Sequence, residues 1–378
     1  MNCLLHRFHS GARSLPAALA FLVACSPASA GPIRIGLAGP FSDSVGAPMR
    51  RAATLAVEQI NLTGGIAGRP LELVIKDDFG DPDSAVNVAT ELEKAGVVAV
   101  IGHVYSGTTL ASAPVYNAAR VLQISPSSSS PLVTEAGDFT FRTCPSDLQQ
   151  GEALARFAAD RLSLKRGTIL YLNDEYGRGI RATFSREFSR RGGRIDETDP
   201  YLGSTPAVGP YLERLARRNT SEFVMLGGNR SEAEEALRVA RARGIKVPFL
   251  GGDALEGLEE AGPLAEGTYI SNAYLATFDT PINREFVRAY AREYPGSTAP
   301  NQPAAATYDI LFMLKAAIMR VGTDRIKLRD AVAEIGRGSP PFEGVTGEIA
   351  FDDHGDVPRQ RVIIGRVESG RVRAVEGL

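Results

Sequence analysis

Apolar and polar positions along the chain follow two alternating periods. Short runs rich in aliphatic and β-branched residues recur at 33–37 (IRIGL), 71–76 (LELVIK), 97–101, 169–172, 223–226 and 247–250, which predicts strands. Between them apolar residues fall at three- and four-residue spacing, as with Ala52, Leu55, Ala56 and Ile60. That period predicts helices at 46–61, 82–95, 108–119, 147–162, 178–191 and 231–243. Asp81-Pro82 supplies an N-cap followed by a proline at the first helical position. Strand–helix alternation of this kind implies parallel sheets covered on both faces. The tail is different. Helices at 282–293 and 303–320 come close together, and short strands at 347–351 and 359–366 are joined through 352–356. One doubly wound sheet does not produce such a tail; two α/β lobes that the chain crosses more than once do.

The first thirty residues stand apart from this pattern. They carry Arg7 and Arg13 and no acid, then an apolar run at 15–24, then Ala28-Ser29-Ala30. A basic start, a short apolar core and an A-x-A site read as a secretory signal peptide at 1–30. The run is too short to span a bilayer, which takes about 20 residues. Cleavage after Ala30 would release a soluble periplasmic protein. Leu22-Val23-Ala24-Cys25 also matches a lipobox, in which Cys25 would carry a lipid anchor. Removing 1–30 leaves one cysteine, Cys144, so no internal disulfide is expected and Cys144 reads as a small buried hydrophobe.

Length and composition narrow the function. The 378 residues allow two domains. A net charge of −2, no Trp and 7% aromatics argue against a nucleic-acid partner. No G-x-G-x-x-G follows the first strand and no Walker A or G-x-S-x-G motif occurs, so no cofactor and no catalytic residue is expected. His103 and His354 lie far apart without metal-ligand spacing. His103 reads as a satisfied residue, and Asp77-Asp78 and Asp352-Asp353 as capping acids.

Several strings carry a family likeness: INLTGGIAGRPLELVIKDDFGDP (60–82), VIGHVYSGTTLASAPVYNAARVLQISPSSSSPLVT (100–134), FRTCPSDLQQG (141–151), NDEYGRG (173–179) and LGGDALEG (250–257). In this order and at these gaps the chain resembles the leucine/isoleucine/valine-binding protein family of ABC-transporter solute receptors, from about Ile33 to Val367. The resemblance implies an α/β, type I periplasmic-binding-protein fold, with two Rossmann-like lobes joined by a three-segment hinge. Lobe one would be 31–142 plus 276–350 and lobe two 143–275 plus 351–378, with crossovers near 141–145, 274–277 and 350–352. The ligand would be a small amino acid, or a related carboxylate, held between the lobes. The partner would be an inner-membrane ABC permease, and the receptor a monomer. A ligand sensor of the same fold for amides, urea or aromatic acids is the alternative.

The residues agree with that chemistry. An α-carboxylate needs converging donors, and an α-ammonium needs a carboxylate. Ser106 opens a helix after a strand, and Ser127, Ser128 and Ser129 follow the next strand. Read alone these are an N-cap and a turn; in the family the matching positions hold the carboxylate. The family places an acid at the position of Asp253 for the ammonium, and at the position of Tyr176 a tyrosine that closes over the ligand. Asn229 and Val45 stand where aromatics are common, which leaves the side-chain pocket unassigned. Arg230 beside Asn229 could reach the cleft or simply face water. The family's disulfide positions fall on Gly80 and Tyr105, so the bridge is missing and Tyr105 becomes a candidate lining residue.

Overall fold

The computed structural model describes residues 31–202, 208–218 and 220–376. The expected leader, 1–30, with Cys25, lies outside the described residues, as do Gly377 and Leu378.

The first lobe is built on β1 (Ile33–Gly39), β2 (Leu71–Asp77), β3 (Ala99–Ile101), β4 (Leu122–Ser125) and β5 (Thr140–Arg142). All pair in parallel, in the order β2-β1-β3-β4-β5. Helices α1 (Gly46–Leu62), α2 (Pro82–Lys94) and α3 (Ser106–Ala118) cross between these strands. The periodic face of α1, with Met49, Ala52, Ala53, Ala56 and Ile60, is buried. Asp81 caps α2 by accepting a hydrogen bond from the Ser84 N–H at 2.8 Å, as the sequence leads one to expect.

The chain then enters a second sheet. Here α4 (Asp147–Arg156), α5 (Glu175–Arg190), α6 (Gly209–Arg218) and α7 (Arg230–Ala242) intervene among β6 (Arg166–Leu172), β7 (Arg194–Tyr201), β8 (Phe223–Gly227), β9 (Phe249–Gly251) and β10 (Tyr269–Asn272). The expected helix at 147–162 ends as α4 at Arg156 and continues as one wider turn, Phe157–Arg161. After β10 the chain returns to the first lobe through α8 (Pro281–Glu293), α9 (Gln302–Val321) and α10 (Arg325–Ala333). Helices α9 and α10 complete its core. Strand β11 (Phe342–Gly344) forms a hairpin with β12 (Gly347–Ile349). Strand β13 (Ile363–Glu368) instead joins the second sheet, antiparallel to β10, and carries β14 (Arg371–Glu376) on its edge. The second sheet therefore runs β14-β13-β10-β9-β8-β6-β7.

One detail of the tail differs from expectation. The late strands belong to different sheets, and the second begins at Ile363 rather than near 359. The side chains of Phe351 and Val357 pack in the first lobe's core, with Phe351 edge-on to Phe141 at 5.2 Å between ring centroids. The apolar content of 351–357 thus stays with the first lobe, and the second sheet resumes only at Ile363.

The first and last crossings are strapped together. Arg142, at the end of β5, is buried and bonds both oxygens of Asp356 at 2.8 and 2.6 Å. The same guanidinium donates to the carbonyls of Ser129 and Ser130 at 3.1 and 2.7 Å. The carboxylate and the neighbouring carbonyl acceptors make this burial tolerable, and the same hydrogen bonds fix the serine-rich loop against the crossovers.

Candidate functional site

Open α/β sheets bind ligands beyond the carboxyl ends of their strands, where the strand order reverses. In the first sheet the reversal lies between β1 and β3, and in the second between β6 and β8. The loops that follow these strands, and those after β4 and β9, face each other across a cleft of about 680 Å³. Asp43, Tyr105, Ser106, Ser127 and Ser129 line it from the first lobe, and Tyr176, Asn229, Arg230, Asp253 and Glu256 from the second.

On the first lobe Ser106 is the first helical residue of α3 and is 4% exposed. Its Oγ accepts the Ser130 N–H at 3.1 Å, which leaves its own hydroxyl proton to donate. Donors at a helix start suit an anion. Behind them, Asp78 and His103 form a buried pair at 2.5 Å, and the second ring nitrogen of His103 is 3.3 Å from the Tyr116 hydroxyl. Asp78 is therefore more than a capping acid: one oxygen accepts the Gly80 N–H and the other holds the histidine under the 103–106 loop. Tyr105 donates to Asp43 at 2.8 Å. Its ring lies against Gly80, where an added Cβ would meet Cε2 at 2.9 Å. The two positions that carry the family's disulfide are thus neighbours here, bridged by an aromatic ring.

Ser128 departs from the expectation. It is not part of the cleft lining. Its hydroxyl turns inward to the Val104 carbonyl at 3.0 Å and Thr109 Oγ1 at 2.7 Å, and its N–H goes to Ser125 Oγ at 2.9 Å. It shapes the loop from behind, whereas Ser127 and Ser129 reach the surface of the cleft.

On the second lobe Asp253 follows β9 and is gripped by Gln150. The Gln150 amide donates to Oδ2 at 2.8 Å and accepts from the Asp253 N–H at 3.1 Å. Ser271 and the Pro145 carbonyl hold Gln150 in turn, at 2.7 and 3.2 Å. Burial pushes the Asp253 carboxyl up to about 7, against the opposing pull of Gln150. Tyr176 opens α5, is 7% exposed and packs in the second lobe's core. Its hydroxyl has no hydrogen-bond partner and sits where a Cβ on Gly252 would collide with it. Asn229 is the N-cap residue of α7, yet its side chain caps nothing and lines the cleft. Of the two places open to Arg230, it takes the cleft, where it pairs with Glu234 at 2.7 Å and Glu260 at 2.8 Å.

The chain matches the periplasmic binding protein family over residues 32–371. It belongs to that family. The leucine-, isoleucine-, valine-, threonine- and alanine-binding protein of Pseudomonas aeruginosa is 30% identical over 334 residues, covering 86% of this chain and 87% of that protein. An ABC transporter substrate-binding protein of Desulfitobacterium hafniense, solved with leucine, is 29% identical with a TM-score of 0.79, covering 91% of this chain and 99% of that one. The branched-chain amino acid transporter substrate-binding protein of Streptococcus pneumoniae, solved with isoleucine, is 26% identical with a TM-score of 0.83, over 92% and 99% of the two chains.

In this periplasmic binding protein four residues escaped the sequence reading. Gln150 orients Asp253, Arg142 fixes the serine loop, Glu256 bridges to α9, and Asp147 lies under the loop. Asp147 is fully buried, its N–H bonds the Ser129 carbonyl at 2.7 Å, and neither carboxylate oxygen has a hydrogen-bond partner. Burial, and then the charge of Asp253, push its carboxyl far above the ordinary range. Gln150 and Asp147 stand inside the string at 141–151 that carries the resemblance, but a glutamine and an N-terminal aspartate of a helix look like ordinary surface residues until the partner loops are in place. Among the described residues no cluster suited to a metal ion occurs, and no helix is long and apolar enough to cross a membrane.

Proposed function

We propose that this protein is the solute receptor of an ABC importer and that its ligand is a small α-amino acid. The observation that carries the reading is the opposition of Ser106, Ser127 and Ser129 on one lobe to Asp253 on the other, across a single cleft. The serine side offers hydroxyl and helix-start donors to a carboxylate, and Asp253 offers an anion to an ammonium. A zwitterion buried between the lobes needs both, because an unpaired buried ion costs several kcal/mol.

The ligand docks first on the fixed serine loop. Asp253 and Tyr176 then approach as the lobes rotate about the crossovers. The closed form gains population only by the ligand's greater affinity for it. Amino-acid ligands of the relatives support this reading, as do their roles in branched-chain amino-acid transport. The expected periplasmic location rests on the family and on the leader at 1–30.

A thermal-shift screen of the protein from residue 31 onward, against the twenty amino acids, aromatic acids, amides and urea, tests the proposal. Mass action raises the melting temperature with a bound ligand. Stabilisation by one or more α-amino acids is expected; a response confined to aromatic acids, amides or urea would point to the sensor reading instead.

A further inference from the structure

Two cavities meet between the lobes. The cleft adjoins a second chamber of about 320 Å³, walled in part by Asn272, Tyr274 and the loop at 298–301. Ser44, Val45, Arg230 and Glu256 line both spaces and so form the partition between them. The partition is tied across the lobes, since Glu256 Oε1 accepts the Gln302 N–H at the start of α9 at 2.7 Å. A carboxylate at a helix N-terminus is favourably placed. Arg230 is held from its own lobe by Glu234 and Glu260. Gly257, at φ +85°, makes room for it: an added Cβ would meet Arg230 Nη1 at 2.7 Å.

The amino-acid reading above, on which this inference rests, gives the ligand a direction. With the carboxylate on Ser106 and the ammonium on Asp253, the third substituent of the α-carbon points at the remaining walls. Those walls include Val45, Asn229, Arg230 and Glu256. Val45 adds only a short side chain to the partition, whereas Glu256 spans it to the other lobe. We propose that Glu256, backed by Arg230, is the gate that sets how long a ligand side chain this receptor accepts.

Removing the Glu256 carboxylate joins the chamber to the cleft. Glu256→Gln keeps the size of the side chain and an oxygen that can accept the Gln302 N–H, whereas Glu256→Ala keeps neither. The test is isothermal titration of wild type and both variants with norvaline, norleucine, α-aminoheptanoate and α-aminooctanoate, after thermal melts confirm that the variants are folded. Wild type and Glu256→Gln are expected to lose at least tenfold in affinity along the series, and Glu256→Ala to lose little. An Ala profile parallel to wild type, or a Gln profile equal to that of Ala, would overturn the gate. If wild type binds none of the series and no other amino acid, the receptor reading fails by itself. The gate is then judged on the crystal structure of unliganded Glu256→Ala: one merged chamber supports it, and a cleft still divided overturns it.

Discussion

On the proposed reading Asp253 is the residue on which binding turns, and its environment makes it pH-sensitive. Burial holds its carboxyl near pH 7 in the unliganded cleft. Only the ionised form pairs with an ammonium, so a proton competes with the ligand below that value. Affinity is expected to fall by up to about tenfold per pH unit below pH 7 and to level off above about pH 8; titration calorimetry across this range checks it. Asp253→Ala leaves the ligand ammonium without a partner. A loss of about 3–5 kcal/mol in binding is expected, with the free protein still folded and melting cooperatively. Ser106→Ala removes one hydrogen bond to a charge and is expected to weaken binding by about 1–3 kcal/mol. An unaltered dissociation constant in that variant would count against the carboxylate subsite. At this scale the sequence named Ser106, Ser127, Ser129 and Asp253 through the family likeness and the loops they occupy, and the fold brings them to one cleft. It hid Gln150 and Glu256, whose roles come from contacts 103 and 46 residues away along the chain. It could not show that Ser128 turns its hydroxyl inward, because the facing of one serine among four depends on which carbonyl its hydroxyl meets.

The elements were legible where one period dominates. Strand β1 is buried at nearly every position and α1 buries one clean face, so both stand out. Strand β7 (RIDETDPY) lies on the sheet edge and is mostly half-exposed or exposed, so its charges mask it. The antiparallel pairing of β13 with β10, across three helices and a hairpin of the other lobe, is invisible to any local pattern. On the proposed reading the loop after β4 is the element that matters most for function, and Arg142 with Asp356 holds it. Asp356→Ala leaves the Arg142 guanidinium buried without its carboxylate. A loss of about 3–5 kcal/mol in unfolding free energy is expected, measured by urea denaturation. A loss below about 1 kcal/mol, the range of surface pairs, would mean that the strap is ornamental.

For the whole molecule, two lobes crossed more than once were readable from the change of pattern late in the chain. The place where the second sheet resumes was not, because Phe351 and Val357 are as apolar as strand residues and fill the other core. Three carboxyls, Asp309 buried and Asp253 and Glu256 half-buried in the cleft wall, stand among the groups that give the folded protein an unusual acid response. Asp253, Glu256 and Asp309 are raised by burial to about 7, 8 and 6, whereas unfolded carboxyls titrate near about 4. Between those values the folded state binds protons that the unfolded state releases, so stability falls as pH rises. The melting temperature is therefore expected to increase as pH is lowered from about 8 to about 5, while affinity for an amino acid decreases over the same range. Parallel trends would show that the cleft carboxyls are not the groups responsible.

The divided grip itself is tested most directly by titration calorimetry on the tightest-binding amino acid and its two half-ligands, one lacking the ammonium and one lacking the carboxylate. Micromolar affinity, about −8 kcal/mol, is expected for the intact ligand. Each half-ligand is expected to bind at least a hundredfold more weakly, and Asp253→Asn should weaken the intact ligand while leaving the ammonium-free half-ligand unaffected. A half-ligand that matches the intact amino acid, or an Asp253→Asn variant that binds it as wild type does, would contradict the account.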